Sequence, residues 1–194
     1  MAMGKLPQFT DLYGIAAPQG GYFTTRDAAT AGYSPQALRK HLLAGRISRS
    51  MHGIYRLVHY PLGEQEQLAV LHLWARGSAT FSHETALFAH GLSDVLPDRI
   101  HLTLPLAWRR RRMRTPPLTV LHFSNVPAAD RTWYGVVRCT KVSRTLWDCA
   151  ESHVRPDLVV AAYEQAVRRG LLTDDEVGKL AAALHCWREK ANHA

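Results

Sequence analysis

The spacing of apolar residues near the start of the chain predicts two short helices separated by a glycine. The first is predicted over Arg26–Ala31, with Thr24 or Thr25 as its cap and Gly32 at its end. A helix that begins on a capping side chain and stops at glycine is a common local pattern. The segment before it, residues 7–17, is also expected to be helical and to stop at the following glycine pair.

The second helix is predicted over residues 34–44. Ser34 is its cap, Pro35 lies at the first position, where a missing N–H costs nothing, and Gly45 ends it. Its apolar residues recur at helical spacing and predict an inner face of Ala37, Leu38, His41 and Leu42, opposite an outer face of Gln36, Arg39, Lys40 and Leu43. Two short helices around a glycine-containing turn predict a helix-turn-helix.

The apolar period changes to two after Gly45. The segment RISRSMHGIYRL, residues 46–57, alternates around Ile47, turns at His52-Gly53 and returns to Leu57. This pattern predicts a two-stranded hairpin, the wing of a winged helix-turn-helix domain over residues 1–60. A winged fold used only for protein contacts is the alternative.

The rest of the chain, after a proline- and glycine-containing junction at 58–63, mixes helical and strand patterns. A helix is expected from Glu64 and another from Ser82 to Gly91. Strands are expected at 99–105, 118–124 and 133–140, and helices at 143–152, 157–169 and 173–186, capped by Ser143 in the first case and by Thr173 with Glu176 in the last. We therefore predict an α+β protein whose domain at 64–194 holds a small antiparallel sheet and several helices.

Positive charge is concentrated in the predicted winged domain. The chain has a net charge of +8, and residues 1–60 hold seven Lys and Arg against two Asp. Between Ser34 and Arg56 there are five basic residues and no acidic one. A polyanion would be attracted to this stretch first. On charge alone, a solvated basic face that keeps the protein in solution is the alternative.

The candidate DNA contacts follow from this charge and from the outer helix face. Glutamine and arginine pair bidentately with adenine and guanine edges, so Gln36 and Arg39 are the candidate base readers. The other predicted contacts reach phosphates or the minor groove. The full set is Thr25, Ser34, Gln36, Arg39, Lys40, Arg46, Arg49, Ser50, His52 and Arg56.

The sequence offers little catalytic or metal chemistry. It lacks GxSxG, P-loop and GxGxxG motifs and a paired acidic nuclease motif, so we predict neither an enzyme nor a cofactor. The spacing of His83, Glu84 and His90 does not match the HExxH zinc motif, and we predict no metal. A nuclease remains a distant alternative.

Three cysteines, an odd number without CxxC spacing, argue against a disulfide framework and a structural zinc site. Cys139, Cys149 and Cys186 are expected to be buried or idle thiols. The longest apolar runs fall short of the roughly 20 residues that a bilayer span needs. The start of the chain has no apolar core of signal-peptide type. We therefore expect a cytoplasmic protein without membrane contacts.

Five segments of the chain together resemble a known family. They are GYFTTRDAATAGYS, LRKHLLAGRISRSMHGIYRL, SHETALFAHGLSDVLPDRIHLTLP, VVRCTKVSRTLWDCAE and YEQAVRRGLLTDDEV. In this order they resemble the AbiEi family, bacterial antitoxins of type IV toxin–antitoxin systems, from Gly21 to about Leu184. The likeness implies a winged DNA-binding domain followed by an antitoxin-type C-terminal domain.

The resemblance also implies a function. By this resemblance the chain is expected to be a sequence-specific DNA-binding antitoxin that represses its own operon. It is also expected to counteract a nucleotidyltransferase-like toxin, without necessarily forming a stable complex with that toxin. Because one winged module buries only a modest surface, we expect a monomer or weak dimer that pairs on promoter inverted repeats in double-stranded DNA. The alternative is a stand-alone transcription regulator whose C-terminal domain dimerises or senses a ligand.

A second basic run, WRRRRMR at 108–114, lies between two predicted strands and is expected to be a hairpin tip or loop. Three interpretations stay open for it. It is a solvated turn, a second phosphate-contacting surface with Trp108 stacked on a base or an arginine, or a toxin-related surface. The basic residues of this run are Arg109, Arg110, Arg111, Arg112 and Arg114.

Overall fold

The computed structural model describes residues 8–94, 96–152 and 154–191, the last six of these as backbone only. The chain divides into two compact units. The first runs to Gly77 and includes Gly135–Val137, and the second comprises Ser78–Tyr134 together with the residues from Arg138 onward. Helices and two sheets make this an α+β protein, as the sequence predicts.

In its described residues, from 8 onward, the first unit contains four α-helices and one three-stranded sheet. Its elements in chain order are α1 (Phe9–Ala16), β1 (Tyr22–Thr24), α2 (Thr25–Thr30), α3 (Pro35–Leu43), β2 (Ile47–Met51), β3 (Ile54–Leu57) and α4 (Glu66–Trp74). The two helices and the hairpin predicted from periodicity are all present. The sheet is antiparallel with the order β1-β3-β2, so the wing has a third strand that the sequence analysis missed.

Thr24, rather than Thr25, is the N-cap of α2. The Thr24 hydroxyl accepts a hydrogen bond from the Asp27 N–H at 3.1 Å, while the Asp27 carboxylate accepts one from the Thr24 N–H at 2.8 Å. These two bonds form a capping box, which satisfies two backbone donors at once. The same arrangement begins the last helix of the chain, where Thr173 and Glu176 form the predicted box.

The core of the first unit lies between its helices and its sheet. Leu12 of α1, Phe23 of β1 and Leu38 of α3 are almost fully buried in one apolar cluster with Ile47 and Leu57 of the hairpin. A second cluster joins Ala69 and Leu73 of α4 to the sheet. Because of this packing, α4 belongs to the first unit, whereas the sequence analysis assigned residues from 64 onward to the C-terminal domain.

The described part of the second unit contains four α-helices and a five-stranded sheet. Its elements are β4 (Thr80–Phe81), α5 (His83–Ala89), β5 (Ile100–Leu104), β6 (Thr119–Phe123), β7 (Arg131–Tyr134), β8 (Val137–Thr140), α6 (Val142–Glu151), α7 (Pro156–Arg168) and α8 (Asp174–Ala191). The strand order is β6-β5-β4-β8-β7. The helices pack around a common apolar cluster that includes Leu87, Leu146, Val159 and Leu180.

The pairing of this sheet differs from the expected antiparallel arrangement. Strand β4 pairs antiparallel with β5, but β5 pairs parallel with β6 and β4 pairs parallel with β8. A parallel pair needs a crossover of a dozen or more residues, and residues 105–118 supply one. Periodicity identified β5 and β6 as strands but carries no information on their relative direction.

Three smaller expectations about the second unit meet different outcomes. Helix α6 begins at Val142 with Lys141 at its N-cap, so Ser143 is not the cap. Ser82 occupies the N-cap of α5 without a capping bond. Cys139 and Cys149 are buried thiols as expected, and burial raises the pKa of Cys139 to about 11. The side chain of Cys186 lies outside the described residues.

Gly21 is required by its backbone and by its neighbour. Its φ is +83°, and a Cβ there would lie 2.5 Å from ring atoms and 2.7 Å from Cβ of Tyr60. Gly21→Ala should therefore destabilise the protein by about 1–3 kcal/mol, measured as the free energy of unfolding in urea.

Gly14→Ala is the matched control for that substitution. Gly14 lies in helix α1 with no heavy atom within 4 Å of an added Cβ. Alanine is the better helix former, so this change should stabilise by roughly 0.5–1 kcal/mol. Equal stability of the two variants would contradict the close packing of Gly21 against Tyr60.

Candidate nucleic-acid interface

The inner face of α3 is fixed by burial, as its apolar spacing predicts. Leu38 is 3% exposed, and Ala37 and Leu42 pack against the same core. The ring of His41 lies 5.3 Å from that of Tyr33, and burial lowers the pKa of His41, with Arg46 adding to the effect. These contacts leave α3 little freedom to rotate about its axis.

The outer face of α3 is consequently exposed. The four side chains predicted for it are all exposed, and Leu43 is 81% exposed. At the start of the helix, Ser34 Oγ accepts a hydrogen bond from the Ala37 N–H at 3.2 Å. The outer face therefore carries an amide, two cations and an apolar tip, given by Gln36, Arg39, Lys40 and Leu43.

Arg46 joins α3 to the wing. Its N–H donates to the carbonyl of His41 at 3.0 Å, and its own carbonyl accepts from the Val58 N–H at 3.1 Å. The preceding Gly45 has a φ of +68°, which allows the chain to leave the helix and enter β2 directly. The exposed Arg46 side chain is thus held between the two parts of the candidate interface.

The wing presents a polar, basic edge. Ser48, Arg49 and Ser50 of β2 are exposed, as is His52 in the turn. Arg49 Nη2 lies 2.8 Å from His52 Nδ1, so the guanidinium donates and the ring nitrogen accepts. A register shift between Arg49 and Met51 bends the strand here. Ser48 was not among the predicted contacts.

Thr25 has a structural role as well as an exposed position. Its N–H and its hydroxyl both donate to the carbonyl of Gly53, at 3.0 and 3.2 Å. These two bonds attach the tip of the wing to the start of α2. Any DNA contact made by Thr25 therefore comes from a side chain whose hydroxyl proton is already used.

Arg56 does not share the exposure of the other candidates. Its side chain is 12% exposed, its Nε lies 3.6 Å from a carboxylate oxygen of Glu66, and its Nη2 donates to the carbonyl of Tyr60 at 2.6 Å. In strand β3 it pairs with Tyr22 of β1 rather than lying at the free edge of the wing. Because its guanidinium binds within the domain, Arg56 is less available to DNA than the sequence analysis expects, and it is left out of the contacts proposed below.

A groove of about 760 Å³, lined by both polar and apolar side chains, adjoins the wing tip. Its lining includes Thr25, His52 and two cations that the sequence analysis did not select, Arg26 and Arg76. Arg26 is the second residue of α2, after the cap Thr24 and the first helical residue Thr25, and its side chain is exposed to solvent. That position was the only signal in the sequence that could have pointed to it.

The second basic run lies in the second unit, and its setting differs from the predicted hairpin. Residues 105–118 cross between two parallel strands, and the five arginines of the run are exposed. The Arg111 guanidinium lies 4.3 Å above the ring of Trp108. This is the arginine stacking that the sequence analysis considered, and it occupies one face of the indole.

The histidines considered for a metal separate in the structure. His90 Nε2–H donates to the carbonyl of Thr140 at 2.7 Å, and burial lowers the pKa of His90. His83 instead lies beside His101 and His122, two residues that the sequence analysis did not consider. The signal was present, because each of the two strand patterns contains a histidine.

The geometry of the first unit is that of a winged helix-turn-helix domain. A helix with a buried inner face and a basic outer face, followed by a wing, is the fold that places a helix in the major groove of DNA. Residues 15–58 match the family described as "Transcriptional regulator, AbiEi antitoxin". The resemblance drawn from the sequence is confirmed over this segment.

One solved structure extends the likeness of fold beyond that segment. The crystal structure of the RV2827C protein from Mycobacterium tuberculosis is similar over 88% of this chain and 69% of its own, with a TM-score of 0.57 and 16% identity. No curated protein matches the chain significantly. Among the residues described, no helix has both the length and the apolar character to cross a membrane.

Proposed function

We propose that the protein is a sequence-specific DNA-binding antitoxin that represses its own operon. The observation that carries this proposal is the exposed outer face of α3 beside the wing, in a stretch with four exposed cations, Arg39, Lys40, Arg46 and Arg49, and no acidic residue. The match of residues 15–58 to a transcriptional-regulator antitoxin family supports it. The protein would act in the cytoplasm, where the operon lies.

The binding mode follows from which side chains are exposed. Helix α3 enters the major groove, with Gln36 and Arg39 on base edges, because their side chains offer bidentate hydrogen bonds. Lys40, Arg46 and Arg49 neutralise phosphates. Ser34 at the start of the helix, with Ser50 and His52 at the wing, adds hydrogen-bond donors to the DNA backbone, and Thr25, whose hydroxyl already donates to Gly53, lies beside them.

The cations are available for this task. Within the described ranges no ion pair engages Arg39, Lys40 or Arg46, in contrast to Arg56 and Arg144. A cation that already has a carboxylate partner must lose it before it gains a phosphate. Side chains without such a partner bind a polyanion with less competition, and their phosphate contacts release counterions from the DNA.

The proposed action against a toxin is supported by the match of residues 15–58 to the antitoxin family. By that likeness the cognate toxin is a nucleotidyltransferase-like enzyme, and neutralisation does not require a stable complex. Two copies of the protein, monomeric or weakly dimeric in solution, would bind the two halves of an inverted repeat. The account requires neither a catalytic residue nor a cofactor.

A second candidate function is a stand-alone regulator whose second unit senses a ligand. The cluster of three histidines in that unit favours it, because their ring nitrogens are potential ligand atoms and take no part in the proposed DNA contacts. A neighbouring nucleotidyltransferase gene, and loss of that enzyme's toxicity when the two genes are expressed together, would favour the antitoxin. Toxicity that persists on coexpression would favour the stand-alone regulator.

Arg39→Ala should weaken binding to the protein's own promoter by about 1–3 kcal/mol and relax selectivity at one base position. The measurement is fluorescence anisotropy with the promoter duplex and its single-base variants. Arg168→Ala, on the exposed side of α7, is the control and should leave affinity unchanged. Unaltered binding by Arg39→Ala would remove this residue from base reading.

Arg49→Ala should weaken binding to all duplexes alike, because it removes a phosphate contact rather than a base contact. The slope of log affinity against log salt should become shallower by about one unit. Titrations at four or more salt concentrations measure it. A slope equal to that of the unmodified protein would contradict a phosphate contact at Arg49.

Replacing Arg109, Arg110, Arg111 and Arg112 together by serine separates the three interpretations of the second basic run. Lower DNA affinity indicates phosphate contact. Intact DNA binding with lost toxin neutralisation indicates a toxin-related surface. If neither changes, the run is a solvated turn. Anisotropy and a growth assay with the coexpressed toxin provide the two measurements.

A further inference from the structure

Three elements of the second unit bring three imidazoles together. His83 is the first residue of α5, His101 the second of β5 and His122 the fourth of β6. Within the described parts of the chain they form a group in which one ring nitrogen from each lies within 4.8 Å of the others. His83 is 5% exposed and the other two are half-buried.

The strand register explains why two of them meet. In the parallel pair, Thr103 of β5 lies opposite His122 of β6. His101 is two residues before Thr103 and so projects from the same face of the sheet. His101 Nδ1 and His122 Nε2 lie 3.1 Å apart.

The third imidazole is delivered by the end of β4. This strand pairs antiparallel with β5, and the Ser82 N–H donates to the carbonyl of His101 at 3.2 Å. The next residue, His83, has a φ of +53°. Its ring stacks on that of His122, with 3.6 Å between centroids and 13° between planes.

The burial of the three rings favours their neutral form, which is the form that binds a cation. Burial lowers the pKa of His83 to about 3 and that of His122 to about 4, and neighbouring imidazoles add to both effects. Burial also lowers the pKa of His101, against an opposing influence of Glu84. Neutral imidazole is the form that ligates a metal, and burial disfavours the charged form of all three rings.

Glu84 fixes the tautomer of His101. Its carboxylate lies 3.1 Å from His101 Nε2, so the Nε2–H donates a hydrogen bond to the carboxylate and Nδ1 keeps a lone pair. That lone pair accepts a hydrogen bond from His122 Nε2 at 3.1 Å, so a metal ion bound between the two nitrogens would replace this proton, and His122 would carry its N–H on Nδ1 instead. A carboxylate behind a ligating histidine is the usual outer partner of a zinc site, where it orients the ring and raises its basicity.

Hydroxyl groups hold His83 in a comparable way. Its Nδ1 lies 2.8 Å from Ser82 Oγ, and its Nε2 lies 2.9 Å from Ser152 Oγ. A neutral imidazole donates from one nitrogen only, so one hydroxyl must donate to the lone pair of the other nitrogen. A metal ion would take that lone pair in place of the hydroxyl proton.

We propose that His83, His101 and His122 bind one divalent transition-metal ion, zinc by preference, with Glu84 as the outer partner of His101. Three imidazoles suit zinc, and the fourth position would be left to water or an exogenous ligand. Nothing in this inference depends on DNA binding by the first unit.

The distances require only a small adjustment. Nitrogen ligands at about 2.0–2.1 Å in a tetrahedral site are separated by roughly 3.3 Å. The His101 and His122 nitrogens already have this spacing, at 3.1 Å. The third must approach by up to about 1.5 Å, which rotation of the His83 ring out of its stack on His122 would supply.

The test uses the purified full chain after removal of metal with a chelator. Zinc chloride titrated in a calorimeter should bind at one ion per chain. Cobalt(II) chloride should give visible absorption of a tetrahedral nitrogen site, without the near-ultraviolet thiolate band expected if Cys139 or Cys149 took part. Absence of zinc binding by the unmodified chain at millimolar ion would overturn the proposal.

Substitutions assign the binding to these residues. His101→Gln and His122→Gln should each abolish stoichiometric zinc binding, whereas His59→Gln, at an exposed histidine of the first unit, should not alter it. Unchanged binding by a folded His122→Gln variant would overturn the proposal, because it would place the ion elsewhere.

Glu84→Gln keeps the test decisive if the histidine variants fail to fold. Glu84 is partly exposed, and its substitution leaves the three rings in place. It should weaken zinc affinity by about 10- to 100-fold, as loss of an outer carboxylate does elsewhere. Circular dichroism confirms that the variant is folded. Affinity equal to that of the unmodified chain would contradict the proposal, because it would show that no ligating histidine depends on this carboxylate.

Discussion

The burial of Leu38 determines what the first unit can do. This side chain is almost fully buried with Leu12, Phe23 and Leu57, so rotation of α3 about its axis would expose an apolar group worth about 1.5–3 kcal/mol in the core. With the inner face fixed, Gln36 and Arg39 must lie outside. The orientation of a candidate reading surface thus follows from packing, not from any contact made by the polar residues themselves.

The connection to the wing extends this constraint. Gly45 ends α3 in a left-handed conformation, and the bonds of Arg46 to His41 and Val58 hold the start of β2 against the helix end. Thr25 attaches the other end of the hairpin through the carbonyl of Gly53. The wing is therefore tied at both ends, and its cationic edge keeps a fixed position beside α3.

Local signals in the sequence were sufficient for most of the first unit. Capping side chains, glycine stops and a change of apolar period identified α2, α3 and the hairpin. Strand β1 was missed because three residues are too short to show alternation, and its pairing with β3 is non-local. The ion pair of Arg56 was not foreseen for the same reason: its partner Glu66 lies in a helix whose packing the sequence does not reveal.

The second unit shows more clearly where pattern-based inference ends. Its strands and helices were recognised, but the parallel pairing of β5 with β6 depends on a crossover whose course no periodicity encodes. That pairing is what brings His101 and His122 together. A search for ligands at helical spacing considered His83, Glu84 and His90, and it could not find a set assembled from one helix and two strands.

The central claim is that the outer face of α3 and the wing edge bind duplex DNA by sequence. The most direct measurement compares the affinity of the intact protein for its own promoter with that for a scrambled duplex of equal length, over a range of salt concentrations. The account predicts tighter binding to the promoter at every salt concentration and a steep fall of both affinities with salt. Equal affinities, or no binding at low salt, would contradict it.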